Sequence, residues 1–214
     1  RLRNRPLVYY CATDYESVSN TALLLSSFLL LQRGFSCEDA FQPFENIFDA
    51  PIVPFRDPTY HPSTFPITVL DCLRGLNKAR ELGWFSLSEF DLDEFEDLSS
   101  PDCGDISIIC PKFVAFRGPE DDVATAEKSG ALSPDVYVER FAELDVVKVV
   151  RLNEASTYDK RAFERAGLAH VDLFFDDCTT PPEPLVARFL AEAAGPGRLA
   201  VHCLAGLGRT GTLI

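Results

Sequence analysis

Val201-His202-Cys203-Leu204-Ala205-Gly206-Leu207-Gly208-Arg209-Thr210-Gly211-Thr212-Leu213-Ile214 is the stretch on which the reading of this chain turns. A cysteine and an arginine bracket five small or apolar residues, with a histidine before the cysteine and a threonine after the arginine. That arrangement suits attack of a thiolate on a phosphate monoester. A free thiol has a pKa of about 8.5 and is mostly protonated at neutral pH. It becomes a ready nucleophile within a ring of backbone N–H groups at a helix N-terminus, near a cation. Cys203 is therefore the candidate nucleophile. Leu204, Ala205, Gly206, Leu207 and Gly208 form the candidate phosphate cradle, with Gly206 and Gly208 expected to let the loop curl so that its amides point inward. Arg209 closes the ring with a bidentate fork that lysine could not supply. A buried structural cysteine at a strand end would explain Val201 and Cys203, but not the glycines, Arg209 and Thr210 in register.

Outward from the loop, the chemistry calls for a second piece. The departing alkoxide or phenoxide needs a proton, so a general acid belongs in a nearby loop free to close over substrate. Phe174-Phe175-Asp176-Asp177-Cys178-Thr179-Thr180-Pro181 is the candidate, since it follows an apolar run and ends in proline. Around it the pattern predicts strands near 106–110, 112–116, 146–152, 168–175 and 198–203. Helices are predicted from 134, near 159–166 and over 183–194. Strands alternating with helices predict an α/β domain with a largely parallel sheet. The phosphate loop then falls at the carboxyl end of a strand, where such sheets bind ligands.

The first half reads differently. Residues 7–11 suit a buried strand, followed by an apolar helix over 20–32 that Gly34 ends. Ser36 with Asp39 signals the start of a short helix running through Phe48. Residues 50–66 hold five prolines and read as irregular. Ile67, Leu70, Leu73, Leu76, Ala79 and Leu82 share one helical stripe stopped by Gly83. Residues 87–98 are short and strongly acidic, and read as a helix linking two units.

Composition narrows the partners. The chain has 214 residues, 46% hydrophobic and 25% charged, with 33 acidic against 20 basic side chains and a net charge of −13. That balance disfavours nucleic acid or an anionic membrane and favours a basic ligand or peptide. The longest apolar stretch, 21–31, is too short to span a bilayer and contains Ser26 and Ser27. Seven cysteines, an odd number without metal-ligand spacing, one of which must stay reduced to act, imply an intracellular, reducing compartment. With no methionine, the chain reads as a segment of a longer protein whose phosphate-loop helix is cut short.

Beyond the phosphate loop and Asp177 with Thr179-Thr180-Pro181, three further groups complete a pattern. They are Arg151-Leu152-Asn153 with Asp172-Leu173-Phe174-Phe175, Lys112-Phe113-Val114-Ala115-Phe116, and Pro54-Phe55-Arg56-Asp57 with Leu70-Asp71-Cys72-Leu73. Together they resemble the cell division cycle 14 family of dual-specificity phosphatases, which is associated with mitotic exit. The resemblance implies two tandem domains of phosphatase fold, each a central largely parallel sheet flanked by helices. Their expected bounds are 1–88 for an inactive N-terminal domain, 89–102 for the acidic linker helix and 103–214 for the catalytic domain. It implies that Cys203 forms a phosphocysteine, that Arg209 binds phosphate, and that Asp177 is the general acid and then the base. Thr210 would donate its hydroxyl to the thiolate, His202 would orient the loop, and no metal or cofactor would take part. The implied substrates are phosphoproteins carrying phosphoserine or phosphothreonine before proline with a basic residue nearby, and phosphotyrosine as well. Glu96 occupies one of the linker positions that read the base; the other falls on Ser99, for which Asp97 could substitute. The implied placement is nuclear or cytoplasmic, with the centrosome or spindle pole as a further site.

Two departures from the family stand out. Leu204 replaces its usual lysine, and Cys178 stands where glycine is usual, where it could capture an oxidised Cys203. The inactivity of the first domain also follows from its residues. If Cys11 mimicked the nucleophile, the arginine would fall at Ser17, no loop glycines intervene, and Asp14 and Glu16 would repel phosphate. Two other functions compete. A phosphoinositide phosphatase would want lysines where Leu204, Ala205 and Leu207 stand. A phospho-binding or scaffold module would not need Cys203, Arg209 and Asp177 together. A nucleotide-binding loop is excluded, because no lysine follows the glycines.

Overall fold

The computed structural model describes residues 6–45, 51–56 and 62–214, and the chain divides into two compact units, Arg1–Phe90 and Asp91–Ile214. In the first unit, α1 (Tyr15–Arg33) starts where the Asp14 side chain accepts the Ser17 amide at 2.8 Å, and ends at Gly34 with φ +70°. α2 (Cys37–Phe41) is capped by Ser36 and runs into a 3₁₀ turn over Gln42–Phe44. The expected end of this helix at Phe48 lies outside the described residues. α3 (Val69–Glu81) opens with a capping box in which the Thr68 and Asp71 side chains each accept a hydrogen bond from the other's backbone N–H. Leu30, Cys37, Ala40, Val69 and Leu73 pack between these helices as the unit's core.

The expected strand at 7–11 does not form. Those residues are exposed, and Leu7, Val8 and Tyr10 are each more than 80% accessible. A β-rich run needs a neighbouring strand for its backbone groups. Among the described residues of this unit the one pairing is an isolated bridge between Phe55 and Ile67. The described part of the unit is helical, without the expected central sheet.

The second unit is the predicted α/β domain with a largely parallel sheet, only its edge pair being antiparallel. α4 (Leu92–Leu98) precedes β1 (Ser107–Ile108) and β2 (Phe113–Phe116); α5 (Val123–Ser129) and α6 (Pro134–Glu143) lead to β3 (Val146–Arg151). α7 (Arg161–Arg165), β4 (Ala169–Asp172), α8 (Glu183–Ala193), β5 (Arg198–His202) and α9 (Gly208–Leu213) follow. The sheet order is β1-β2-β5-β3-β4, with β1 antiparallel to β2 and the other pairs parallel. β5 is central and buried on both faces. Leu199 and Val201 join the apolar cluster of Leu152, Leu173 and Phe189, while Ala200 joins that of Phe116, Tyr137, Phe141 and Phe163. The acidic helix begins at Leu92 rather than 87, where Asp91 caps it, and its Leu98 is buried in the second unit's core. Its last turn is therefore part of this unit rather than a free linker.

Candidate active site

β5 delivers Cys203 to the carboxyl end of the sheet, as expected. His202 is fully buried and Cys203 nearly so, and the chain then turns through Leu204–Leu207 into α9. Gly206 makes the turn, with φ +72° and a position where a Cβ would strike the carbonyl of Phe116. Gly208 has no such constraint: its φ is not left-handed and a Cβ would meet open space. Its expected part in curling the loop is therefore corrected, because the turn is made two residues earlier, at Gly206. Leu204 and Leu207 are exposed, Ala205 is exposed, and Gly206 is buried.

The electrostatics favour a thiolate. Burial pushes the Cys203 thiol up, but the Thr210 hydroxyl and the backbone amides of Thr210, Gly206 and Leu207 outweigh it, so the net shift is downward. The Thr210 oxygen is itself buried and has no well-aligned partner among the described residues, which leaves its proton for the sulfur. His202 sits beneath the loop, its Nδ1 2.8 Å from the Cys203 carbonyl. Burial drives its pKa down to about 3, so the ring is neutral.

Arg209 is 4% exposed and donates from Nη1 to the carbonyl of Phe175 at 3.2 Å, which ties the loop after β4 to the turn after β5. Its Nε lies 3.3 Å from Asp177 Oδ1, and Nη1 is 4.0 Å from Glu154 Oε1. The contact with Asp177 is Coulombic, since Nε finds no aligned acceptor among the described residues. Asp177 is exposed and reaches the arginine, so the fold brings together Cys203, Arg209, Thr210, His202 and Asp177. Cys178 beside it is exposed at φ +56°, a conformation that glycine adopts without strain.

Glu96 and Asp97 stand apart from this group in their bonding. Glu96 is exposed on α4 and makes no ion pair among the described residues. Asp97 pairs with Arg140 at 3.4 Å, so its charge is already partly matched.

Three participants were not legible in the sequence. Gly118 donates its amide to the Leu204 carbonyl at 3.0 Å, and a Cβ there would strike the Cys203 carbonyl. Glu154 faces Arg209, and Tyr158 hydrogen-bonds His202 at 2.8 Å. All three lie on loops that follow strands, a position at which function is common but contacts across forty residues leave no periodicity. Among the described residues, no group of three or more His, Cys, Asp or Glu is placed to hold a metal ion. No helix among them is long and apolar enough to cross a membrane.

Residues 1–79 match the family model "Dual specificity protein phosphatase, N-terminal half", and residues 125–214 match "Polymorphic toxin system, DSP-PTPase phosphatase". Over 98% of its length the chain is 38% identical to the dual specificity protein phosphatase CDC14B of Mus musculus, covering 43% of that protein. The chain belongs to the CDC14 family. It is also 38% identical over 99% of its length to the tyrosine-protein phosphatase cdc-14 of Caenorhabditis elegans, covering 31% of it. With the tyrosine-protein phosphatase CDC14 of Saccharomyces cerevisiae it shares 35% identity over 99% of its length, covering 40% of that relative. It thus spans less than half of each of these CDC14 relatives. The resemblance seen in the sequence is the family relationship.

Proposed function

We propose that this chain carries the catalytic machinery of a cysteine-dependent protein phosphatase. The Cys203 thiolate attacks phosphorus, forming the S–P bond as the bond to the leaving oxygen breaks, and Asp177 gives that oxygen its proton. Water then attacks the phosphocysteine, Asp177 takes its proton, and the S–P electrons return to sulfur as orthophosphate leaves. Arg209 and the loop amides hold the non-bridging oxygens throughout. The observation that carries this reading is the Cys203 thiol pulled down by Thr210 and the loop amides, with the Arg209 and Asp177 pair beside it.

The relatives' names support dual-specificity or tyrosine phosphatase chemistry. The narrower substrate, phosphoserine before proline with a basic residue nearby, rests on the family resemblance and on exposed Glu96. The pairing of Asp97 with Arg140 weakens its expected share. The first unit is read as catalytically silent. In support, the N-terminus of α1 is occupied by the chain's own carboxylate, Asp14, and Ser17 stands where the arginine would be needed.

The test is turnover of a phosphopeptide panel by wild type, Cys203→Ser and Asp177→Ala. Cys203→Ser should abolish turnover. Asp177→Ala should lower kcat by about 100-fold or more on poor leaving groups. Equal turnover by wild type and Cys203→Ser ends the enzymatic reading, and binding without turnover by wild type would favour a phospho-binding module. Indifference to proline or to the basic residue defeats the narrower specificity.

A further inference from the structure

A buried chain of side chains runs from the edge of the sheet to the nucleophile, and its hydrogen atoms can be assigned by elimination. The Cys203 carbonyl can only accept, so His202 Nδ1, 2.8 Å away, carries the proton. A fully buried neutral imidazole then has a bare Nε2. Facing that nitrogen at 2.8 Å is the Tyr158 hydroxyl, which must donate to it. A hydroxyl has one proton, so Tyr158 Oη can only accept from His170 Nε2, also at 2.8 Å. His170 is therefore protonated on Nε2 and bare on Nδ1. That Nδ1 has no hydrogen-bond partner among the described residues and lies 4.0 Å from Asp172 Oδ1.

The outer end of the chain is clamped. Arg151 bonds Asp172 at 2.7 Å, donates to the Tyr158 carbonyl at 2.8 Å, and lies over the Tyr158 ring at 4.4 Å. Every proton in the series His170, Tyr158, His202 thus points toward Cys203. Bonds aligned in one direction polarise one another, more so where water is absent.

We propose that Tyr158 and His170 are positioning residues, which fix the tautomer and ring orientation of His202 and, through the Cys203 carbonyl, the shape of the phosphate loop. Without the Tyr158 hydroxyl, a buried His202 nitrogen has no partner in either tautomer, and the ring is free to leave the carbonyl. The loop amides then lose their aim at the sulfur. The groups whose charge bears on His170 are Asp172, Arg151, Lys160 and Glu164, and those on His202 are His170, Arg151 and Asp172. Tyr158→Phe leaves all of these groups intact, and the His170 substitutions remove only His170 itself, which burial keeps neutral.

The inference rests on the phosphatase reading for its importance but is measured apart from turnover. The rate of Cys203 alkylation by iodoacetate against pH reports the thiolate titration directly. Tyr158→Phe and His170→Leu should move its midpoint upward by about one pH unit. His170→Gln, whose amide can still donate to Tyr158, should restore it. Nitrogen-15 spectra of the wild-type imidazoles should show His202 protonated on Nδ1 and His170 on Nε2, which needs no variant to fold. The opposite tautomer at either ring, an unmoved midpoint in folded Tyr158→Phe, or equal shifts in His170→Leu and His170→Gln would overturn the proposal. Absence of wild-type turnover with the expected tautomers would instead count against the phosphatase reading alone.

Discussion

Gly206 carries a constraint that no other loop residue shares. Its φ of +72° costs an L-residue about 1 kcal/mol, and a Cβ would also collide with the Phe116 carbonyl on the neighbouring strand. Gly206→Ala must therefore shift the loop away from β2, and displacement by about 1 Å can cost about 100-fold in rate. We expect kcat/KM on p-nitrophenyl phosphate to fall by at least about 100-fold in Gly206→Ala and by far less in Gly208→Ala. Equal losses would show that the backbone turn is not what limits the loop. At this scale the sequence was informative where chemistry sets residue type: it put forward Cys203, Arg209, Thr210 and Asp177, and the fold gathers them. Gly118 and Tyr158 were not, because their roles are contacts with the backbone and ring of residues distant in sequence, and neither residue type announces such a contact.

Elements were legible where their pattern was self-sufficient and misread where it depended on a neighbour. Apart from α5, a helix that the pattern did not predict because its stretch is polar, the strands and helices of the second unit follow one another as the alternation predicted, since each apolar run pairs with a strand beside it. The run at 7–11 has the same composition but no partner strand among the described residues, and remains exposed. α4 shows the converse, because acidity suggested a solvated linker while one residue, Leu98, anchors it in the core. Truncating a buried leucine to alanine costs about 2–5 kcal/mol, so Leu98→Ala should destabilise the second unit by that order. Leu92→Ala, on the exposed first turn, should change it little. Urea unfolding followed by circular dichroism and by loss of activity distinguishes the two. Comparable small effects would return α4 to the role of a linker.

At the level of the whole molecule, the buried histidines set the acid limit. His202 has an ordinary pKa of 6.5 that burial lowers to about 3 in the folded chain, and His170 falls to about 4 for the same reason. The unfolded chain therefore binds more protons between these values and 6.5, so stability is fully present above 6.5 and is lost as pH falls toward 3. The slope is up to about 1.36 kcal/mol per pH unit for the fully buried His202. The unfolding temperature should decline steadily from pH 7 to pH 4, and a flat profile across that window would refute neutral buried imidazoles. The net charge of −13 was plain in the sequence, whereas this liability was not, because burial of a histidine cannot be read from its neighbours in the chain.

The central place of β5 has a consequence for how the site fails. Its backbone is bonded to β2 on one side and β3 on the other, along Arg198–His202. The strand that leads to Cys203 cannot fray independently, as an edge strand can. Its amides should open only when the unit as a whole comes apart. Competence and cooperativity of the second unit are thus the same event: under stress its copies should divide into intact and unfolded, with the strand leading to Cys203 opening only in the latter.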